Sequence, residues 1–104
     1  MKNISFNELI NLDSTHPNKI IFVLFGHSNC KYCPQAKQIL SQLNTETFYC
    51  DTMQNPQVVQ WVAIRSVPLI IVIKNGIVVQ RFTGLKSLSD YKTILKELLK
   101  RKQK

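Results

Sequence analysis

Two cysteines spaced as Cys30-Lys31-Tyr32-Cys33 separate a nearly uninterrupted apolar run, Ile20 to Phe25, from a segment whose apolar residues recur at Ala36, Ile39, Leu40 and Leu43. The first run has the character of a strand covered on both faces, and the second has the three-and-four spacing of an amphipathic helix. A chain that passes from buried strand to helix through these four residues sets a dithiol at a helix N-terminus. One helical turn brings the two sulfurs within bonding reach. The unpaired first-turn N–H groups and the positive end of the helix dipole favour a thiolate at Cys30, at the exposed edge of the helix, while Cys33 is shielded by the first turn. A sulfur so placed attacks a disulfide and is then released by its neighbour. Lys31 adds positive charge beside the anion, and Tyr32 is an exposed aromatic placed to touch substrate. The alternative readings are half of a zinc site or two core cysteines. Only Cys50, His16 and His27 remain as further ligands, and no second C-x-x-C or H-x-x-x-H spacing completes a tetrahedron. Redox chemistry with no metal and no prosthetic group is therefore the expectation.

At 104 residues the chain is expected to form one compact domain, residues 1–104, with a core that needs no disulfide staples. Three cysteines, two of them in a redox-type pair, do not make a secreted disulfide scaffold. Cys50 reads as a buried small hydrophobe at the end of a strand, with a regulatory thiol as the alternative. Polar residues interrupt the first segment, Met1 to Glu8, where a signal peptide would need an apolar run, and the apolar runs are too short to span a bilayer. The expectation is a monomeric cytoplasmic protein without membrane attachment, in a compartment that keeps a dithiol largely reduced. The net charge of +8 is concentrated at Lys96, Lys100, Arg101, Lys102 and Lys104. These complement the negative end of a helix and then fray into solvent. A nucleic-acid partner is not expected, because no aromatic residues interleave with that tail as a base-stacking surface requires.

Ser5 with Glu8 three residues later is a capping-box signature flanked by Ile4 and Leu9 at the staple positions, so a short helix is expected with Phe6, Leu9 and Ile10 inward. Asp13 to Asn18 reads as a turn cluster. The helix after Cys33 tolerates Pro34 in its first turn and is expected to end near Asn44. A short strand, Phe48 to Cys50, follows. Asn55 and Pro56 are placed to start a helix carrying Val58, Val59 and Val62, as N-cap and first residue. Leu69 to Ile73 and Ile77 to Phe82, joined by Asn75-Gly76, form a β-hairpin, and Ser87 caps a final helix that buries Leu88, Tyr91, Ile94, Leu95 and Leu98. The fold class is α/β, a βαβ half joined to a ββα half.

With C-x-x-C opening a helix and Val67-Pro68 leading into the hairpin, the chain resembles the thioredoxin superfamily over its whole length. From Asp51 onward it is similar to thioredoxin, through Gln54-Asn55-Pro56, Ala63 to Pro68, Lys74-Asn75-Gly76 and Gly84. Cys30 to Lys37 is similar instead to the glutaredoxin pattern C-P-Y-C-x-x-A-K, with Lys31 in place of Pro. The resemblance implies a thioredoxin fold with a central mixed sheet flanked by helices, a cis Pro68, and a Val67 that offers its backbone N–H and C=O to an extended substrate. It implies thiol-disulfide exchange on disulfide-bearing proteins, with a thioredoxin reductase or glutathione as reductant. Asn29 stands where thioredoxins carry Trp, and Leu24 where they bury an acid, so Cys33 is left to water, Lys31 or His27 for proton transfer. His27 and Leu85-Lys86-Ser87 stand where glutaredoxins clamp glutathione, which leaves Tyr32 and a protonated His27 to hold that tripeptide. His27 otherwise reads as a solvated loop residue. Trp61 reads as a lid over its helix, or as a docking aromatic near the active rim.

Overall fold

The apolar run Ile20 to Phe25 becomes the middle of a five-stranded sheet. The computed structural model describes residues 1–100, so Arg101, Lys102 and Lys104 of the expected basic tail lie outside the described residues. Along the chain come β1 (Lys2–Asn3), α1 (Phe6–Ile10), α2 (Leu12–Thr15), β2 (Ile20–Gly26), α3 (Cys33–Leu40), β3 (Glu46–Asp51), α4 (Gln57–Trp61), β4 (Leu69–Lys74), β5 (Ile77–Thr83) and α5 (Leu88–Lys100). The strand order is β1-β3-β2-β4-β5. β2 runs parallel to β3 and antiparallel to β4, so the sheet is mixed.

Alternation along β2 divides the core. Ile21, Val23 and Phe25 face a cluster with Leu9, Leu12, Phe48, Cys50 and Val58, while Phe22 and Leu24 face Ala36, Leu40, Tyr49, Tyr91 and Leu95 on the other side. Helices α1, α2 and α4 thus cover one face, and α3 and α5 the other. Every residue of β2 is buried. Burial of each such large side chain contributes about 1.5–3 kcal/mol, and a one-residue slip would exchange the two faces.

The local signals behave as their chemistry requires. Ser5 accepts from the Glu8 N–H while Glu8 accepts from the Ser5 N–H, closing the capping box. Asn75 (φ 55°) and Gly76 (φ 77°) both take the left-handed conformation that a two-residue hairpin turn demands. Ser87 Oγ accepts from the Asp90 N–H, and Tyr91, Leu95 and Leu98 of α5 are buried.

Several expectations are corrected. The pair Lys2–Asn3 forms an edge strand parallel to β3, which carries no apolar signal of its own. Ile10 is exposed rather than inward. The expected turn cluster Asp13 to Asn18 is helical over its first three residues, which belong to α2 (Leu12–Thr15), since Leu12 is buried and draws that segment onto the sheet. Helix α3 ends at Leu40, with Gln42 and Leu43 held by tighter i→i+3 bonds in place of a continuation to Asn44. Strand β3 is longer than Phe48 to Cys50 because β2 pairs with it from Glu46 to Asp51. Val59 points to solvent.

Asn55 does not cap α4, whose N-cap is Pro56. Its Oδ1 accepts from the Phe6 N–H at 3.0 Å, and its Nδ2 donates to the Asp51 carbonyl at 3.1 Å. One amide thereby satisfies an orphan donor at the start of α1 and ties that helix to the turn after β3. Asn55→Ala is expected to lower stability by about 1–3 kcal/mol, since it strands the part-buried Phe6 N–H. Urea denaturation against the parent protein checks the value.

Candidate functional site

The two cysteines meet where β2 ends and α3 begins. After Gly26 the chain turns through His27 to Asn29, with the Cys30 N–H donating to the His27 carbonyl at 3.1 Å and the Asn29 N–H to His27 Nδ1 at 3.2 Å. Cys33 is the first residue of α3, Pro34 occupies the first turn, and the Ala36 N–H reaches the Tyr32 carbonyl. Cys30 and Cys33 are joined by a disulfide with their Cα atoms 5.4 Å apart. Cys30 lies ahead of the helix rather than within its first turn, and its bond to Cys33 holds its sulfur at the helix N-terminus. Both cysteines are largely covered in this oxidised form, with 8% of Cys30 and 2% of Cys33 accessible. Cys30 is the more accessible residue of the pair, although it is far less exposed than its helix-edge position suggests.

Gly26 is a residue of the site that pattern reading missed. A Cβ at this position would lie 2.5 Å from Cys33 Sγ and 3.2 Å from Tyr49 Cε1. The bare backbone at the end of β2 is what gives Cys33 its seat. Beside it, Tyr49 is buried against Leu24, Ala36 and Leu40. Burial, then the nearby Asp51 and Cys50, raise its phenol above the ordinary range. Lys37, one turn beyond Cys33 on α3, places its ammonium 3.7 Å from the centre of the Tyr49 ring, a cation–π contact that clamps α3 to the sheet. The only signal for Gly26 in the sequence is a glycine ending a buried strand just ahead of the cysteines.

Pro68 reaches the same end of the sheet through strand register. The β2–β4 ladder closes with Phe25 opposite Leu69, which leaves Gly26 and Pro68 as the next residues on neighbouring strands. The Val67–Pro68 peptide bond is cis. Pro68 is buried and Val67 half-buried, and the Pro68 carbonyl accepts from the Gly84 N–H at 2.9 Å.

Tyr32 is exposed, with the Lys31 ammonium 5.5 Å from its ring centre. His27 is half-buried in the turn. Leu24 is fully buried among apolar side chains. The Asp51 carboxylate accepts from the Met53 and Gln54 N–H groups of its own turn. Trp61 sits edge-on to Phe6 with ring centres 5.9 Å apart, across the seam between α4 and α1. Among the described residues no three His, Cys, Asp or Glu side chains gather as a metal cluster would.

Cys50 lies on the opposite face of the sheet from Leu24 and Tyr49, fully buried. Burial, with Asp51 adding to it, pushes its thiol up to about 11. It is the free thiol among the described residues, and its burial separates it from the dithiol chemistry.

A mixed sheet with a dithiol before α3 and an X-Pro peptide beside it defines the thioredoxin superfamily. Solved thioredoxins overlay on nearly the full chain. Chloroplastic thioredoxin z aligns with a TM-score of 0.85 at 18% identity, covering 95% of this chain and 94% of that one. A thioredoxin mutant from Halobacterium salinarum gives 0.83 at 17% identity, covering 99% and 93%. The reduced thioredoxin pre-protein of Schistosoma mansoni gives 0.72 at 23% identity, covering 93% of each. The glutaredoxin family model matches residues 21–77, more than half of the chain and all of the segment that carries the cysteines, and the chain belongs to that family. No curated protein sequence matches it.

Two outcomes are expected from this geometry. Gly26→Ala forces Cys33 Sγ aside, and lowers the stability of the oxidised form by about 1–3 kcal/mol, the range for an overpacked core. The reduced form loses less, because an unbonded Cys33 is free to rotate, and urea denaturation of both forms checks the difference. Cys50 remains a neutral thiol in the fold up to about pH 11, whereas its ordinary value is 9.0. Its contribution to stability is therefore present in full below pH 9.0 and is lost as pH rises towards about 11, because the unfolded state releases the proton first. Native oxidised protein at pH 8 is expected to resist iodoacetamide, and unfolded protein to be alkylated at Cys50, which mass spectrometry reads directly.

Proposed function

We propose that this protein is a thiol-disulfide oxidoreductase that reduces disulfides in other proteins through Cys30 and Cys33. The observation that carries the reading is the Cys30–Cys33 disulfide at the start of α3, at the sheet end where Pro68 leads into β4.

In the reduced protein, Cys30 is the nucleophile. Its thiolate attacks one sulfur of the substrate disulfide, forming a Cys30–substrate bond, and the other substrate sulfur leaves as a thiolate that takes a proton from water. Cys33 then gives up its proton and attacks Cys30 Sγ. The Cys30–Cys33 bond forms and the second substrate sulfur leaves as a thiolate. Two electrons pass from the dithiol to the substrate, and an external reductant restores the dithiol. Positive charge at the start of α3, with Lys31 adjacent, favours the Cys30 anion. Burial of Leu24 among apolar side chains supports a resolving step in which water or His27 takes the Cys33 proton.

Val67 and Pro68 serve as the docking edge in this reading. The substrate adds as a short extended segment whose backbone pairs with Val67, while Lys31 and Tyr32 border the opened disulfide. We place this work in the cytoplasm, where the dithiol is kept reduced. No helix among the described residues is long and apolar enough to cross a membrane.

A second reading, recycling by glutathione, is favoured by the glutaredoxin match across residues 21–77. Here two glutathione thiols reduce the Cys30–Cys33 bond and leave as glutathione disulfide. A paired assay separates the readings: NADPH consumption is followed with thioredoxin reductase in one arm, and with glutathione and its reductase in the other. A redox-independent binding module is the remaining alternative, and function that survives Cys30→Ser would establish it.

Cys33→Ser is expected to trap substrates as long-lived mixed disulfides on Cys30, because the resolving step is lost while the nucleophile remains. Peptide mapping by mass spectrometry that located trapped partners on Cys50, with none on Cys30, would reverse the assignment.

A further inference from the structure

The segment that carries Val67 is held at both ends by the same edge of the sheet. Helix α4 closes with the Val62 N–H on the Val58 carbonyl, the Ala63 N–H on the Gln60 carbonyl and the Ile64 N–H on the Val59 carbonyl. The Val62 and Ala63 carbonyls that follow are taken by a side chain from β5. Arg81 donates from Nη1 to the Val62 carbonyl at 2.8 Å and from Nη2 to the Ala63 carbonyl at 3.2 Å. Ala63 takes a left-handed conformation there (φ 56°), which an alanine, with its Cβ, adopts only at a cost. Two charge-assisted bonds from one rigid fork offset that cost and set the direction in which the chain leaves α4. At the far end, the Gly84 N–H binds the Pro68 carbonyl and Leu69 pairs with Thr83. Arg81 is itself in register with Ile71 of β4. The exposed stretch Arg65-Ser66 and the half-buried Val67 are slung between these two anchors.

We propose that Arg81 is a positioning residue for the substrate edge: its fork on the Val62 and Ala63 carbonyls holds the Val67 backbone at the place where an extended substrate pairs with it beside the dithiol. This rests on the docking role given to Val67 above. Arg81 touches neither sulfur, so its removal is felt in binding of an extended chain and not in the exchange itself.

The test compares two substrates on the parent protein, Arg81→Lys and Arg81→Met. One is a disulfide-bridged peptide long enough to pair with Val67. The other is a small aromatic disulfide, which has no backbone to pair and reports whether the fold and the dithiol are intact. Arg81→Met is expected to raise KM for the peptide about tenfold, the equivalent of one lost charge-assisted bond, with kcat unchanged and the small disulfide reduced at the parental rate. Arg81→Lys is expected to fall between, since one ammonium reaches one carbonyl at a time. An unchanged peptide KM in Arg81→Met overturns the proposal, and so does an equal loss on both substrates, which would mark a general loosening of the fold. A third substrate, the same peptide N-methylated at the residue that donates to the Val67 carbonyl, isolates the underlying reading. If methylation leaves the parental KM unchanged, docking at Val67 is wrong. If methylation raises KM and Arg81→Met does not, the role of Arg81 alone is wrong.

Discussion

The hydrogen bonding of β2 on both edges is the constraint from which the site follows. Its parallel partner β3 brings Asp51 opposite Gly26, and its antiparallel partner β4 brings Leu69 opposite Phe25. The chain leaving β2 therefore carries the cysteines out at the point where β4 enters with Pro68. The register is held by burial, because Phe22, Val23, Leu24 and Phe25 are each fully enclosed and sliding any one of them to the other face would empty one core and overfill the other. The chemistry at the rim thus depends on side chains that take no part in it.

What the site offers differs from a thioredoxin at its floor. The enclosure that would hold an acid is filled by Leu24, and the nearest ring, Tyr49, is kept neutral by burial and pinned by Lys37. Beneath Cys33 lie the bare backbone of Gly26 and, beside it, the edge of the Tyr49 ring. In the proposed exchange the proton of Cys33 leaves on the solvent side of the pair, where the exposed Tyr32 and half-buried His27 stand. The third cysteine adds nothing to this exchange, since Cys50 points into the opposite core.

Much of the fold was legible because several signals act over a few residues and need no tertiary help. The capping box of Ser5 and Glu8, the Asn75-Gly76 turn and the Ser87 cap all form as their local chemistry dictates. The dithiol context was legible for the same reason, as were the α/β class and its two halves. Features set by distant partners were not legible. Lys2–Asn3 is a strand only because Phe48 and Tyr49 lie alongside it. Asn55 looks like a cap from its neighbours, yet its amide is claimed by Phe6, far away in the chain. Gly26 looks like an ordinary strand terminus until Cys33 is seen above it, and Arg81 looks like an exposed strand residue until α4 is packed beside it. Helix position alone does not report how far the surrounding chain covers Cys30, which is buried in the folded protein.

The separation in sequence between the two partners of β2 has a consequence for biosynthesis. A nascent chain that has emerged as far as Trp61 already carries all three cysteines and the parallel pair β2–β3, but not β4, so the far edge of β2 is bare and Phe25 has no partner on that side. Hairpin β4–β5 is local and quick to form, yet it must close a long loop to reach β2, and that step is the slower kind of event. During translation the protein therefore passes through an interval in which its thiols are present before the strand that faces them and the core that shelters Cys50. Cys50 is then open to wrong pairing with Cys30 or Cys33, and a reducing environment during synthesis protects the chain until Leu69 reaches Phe25.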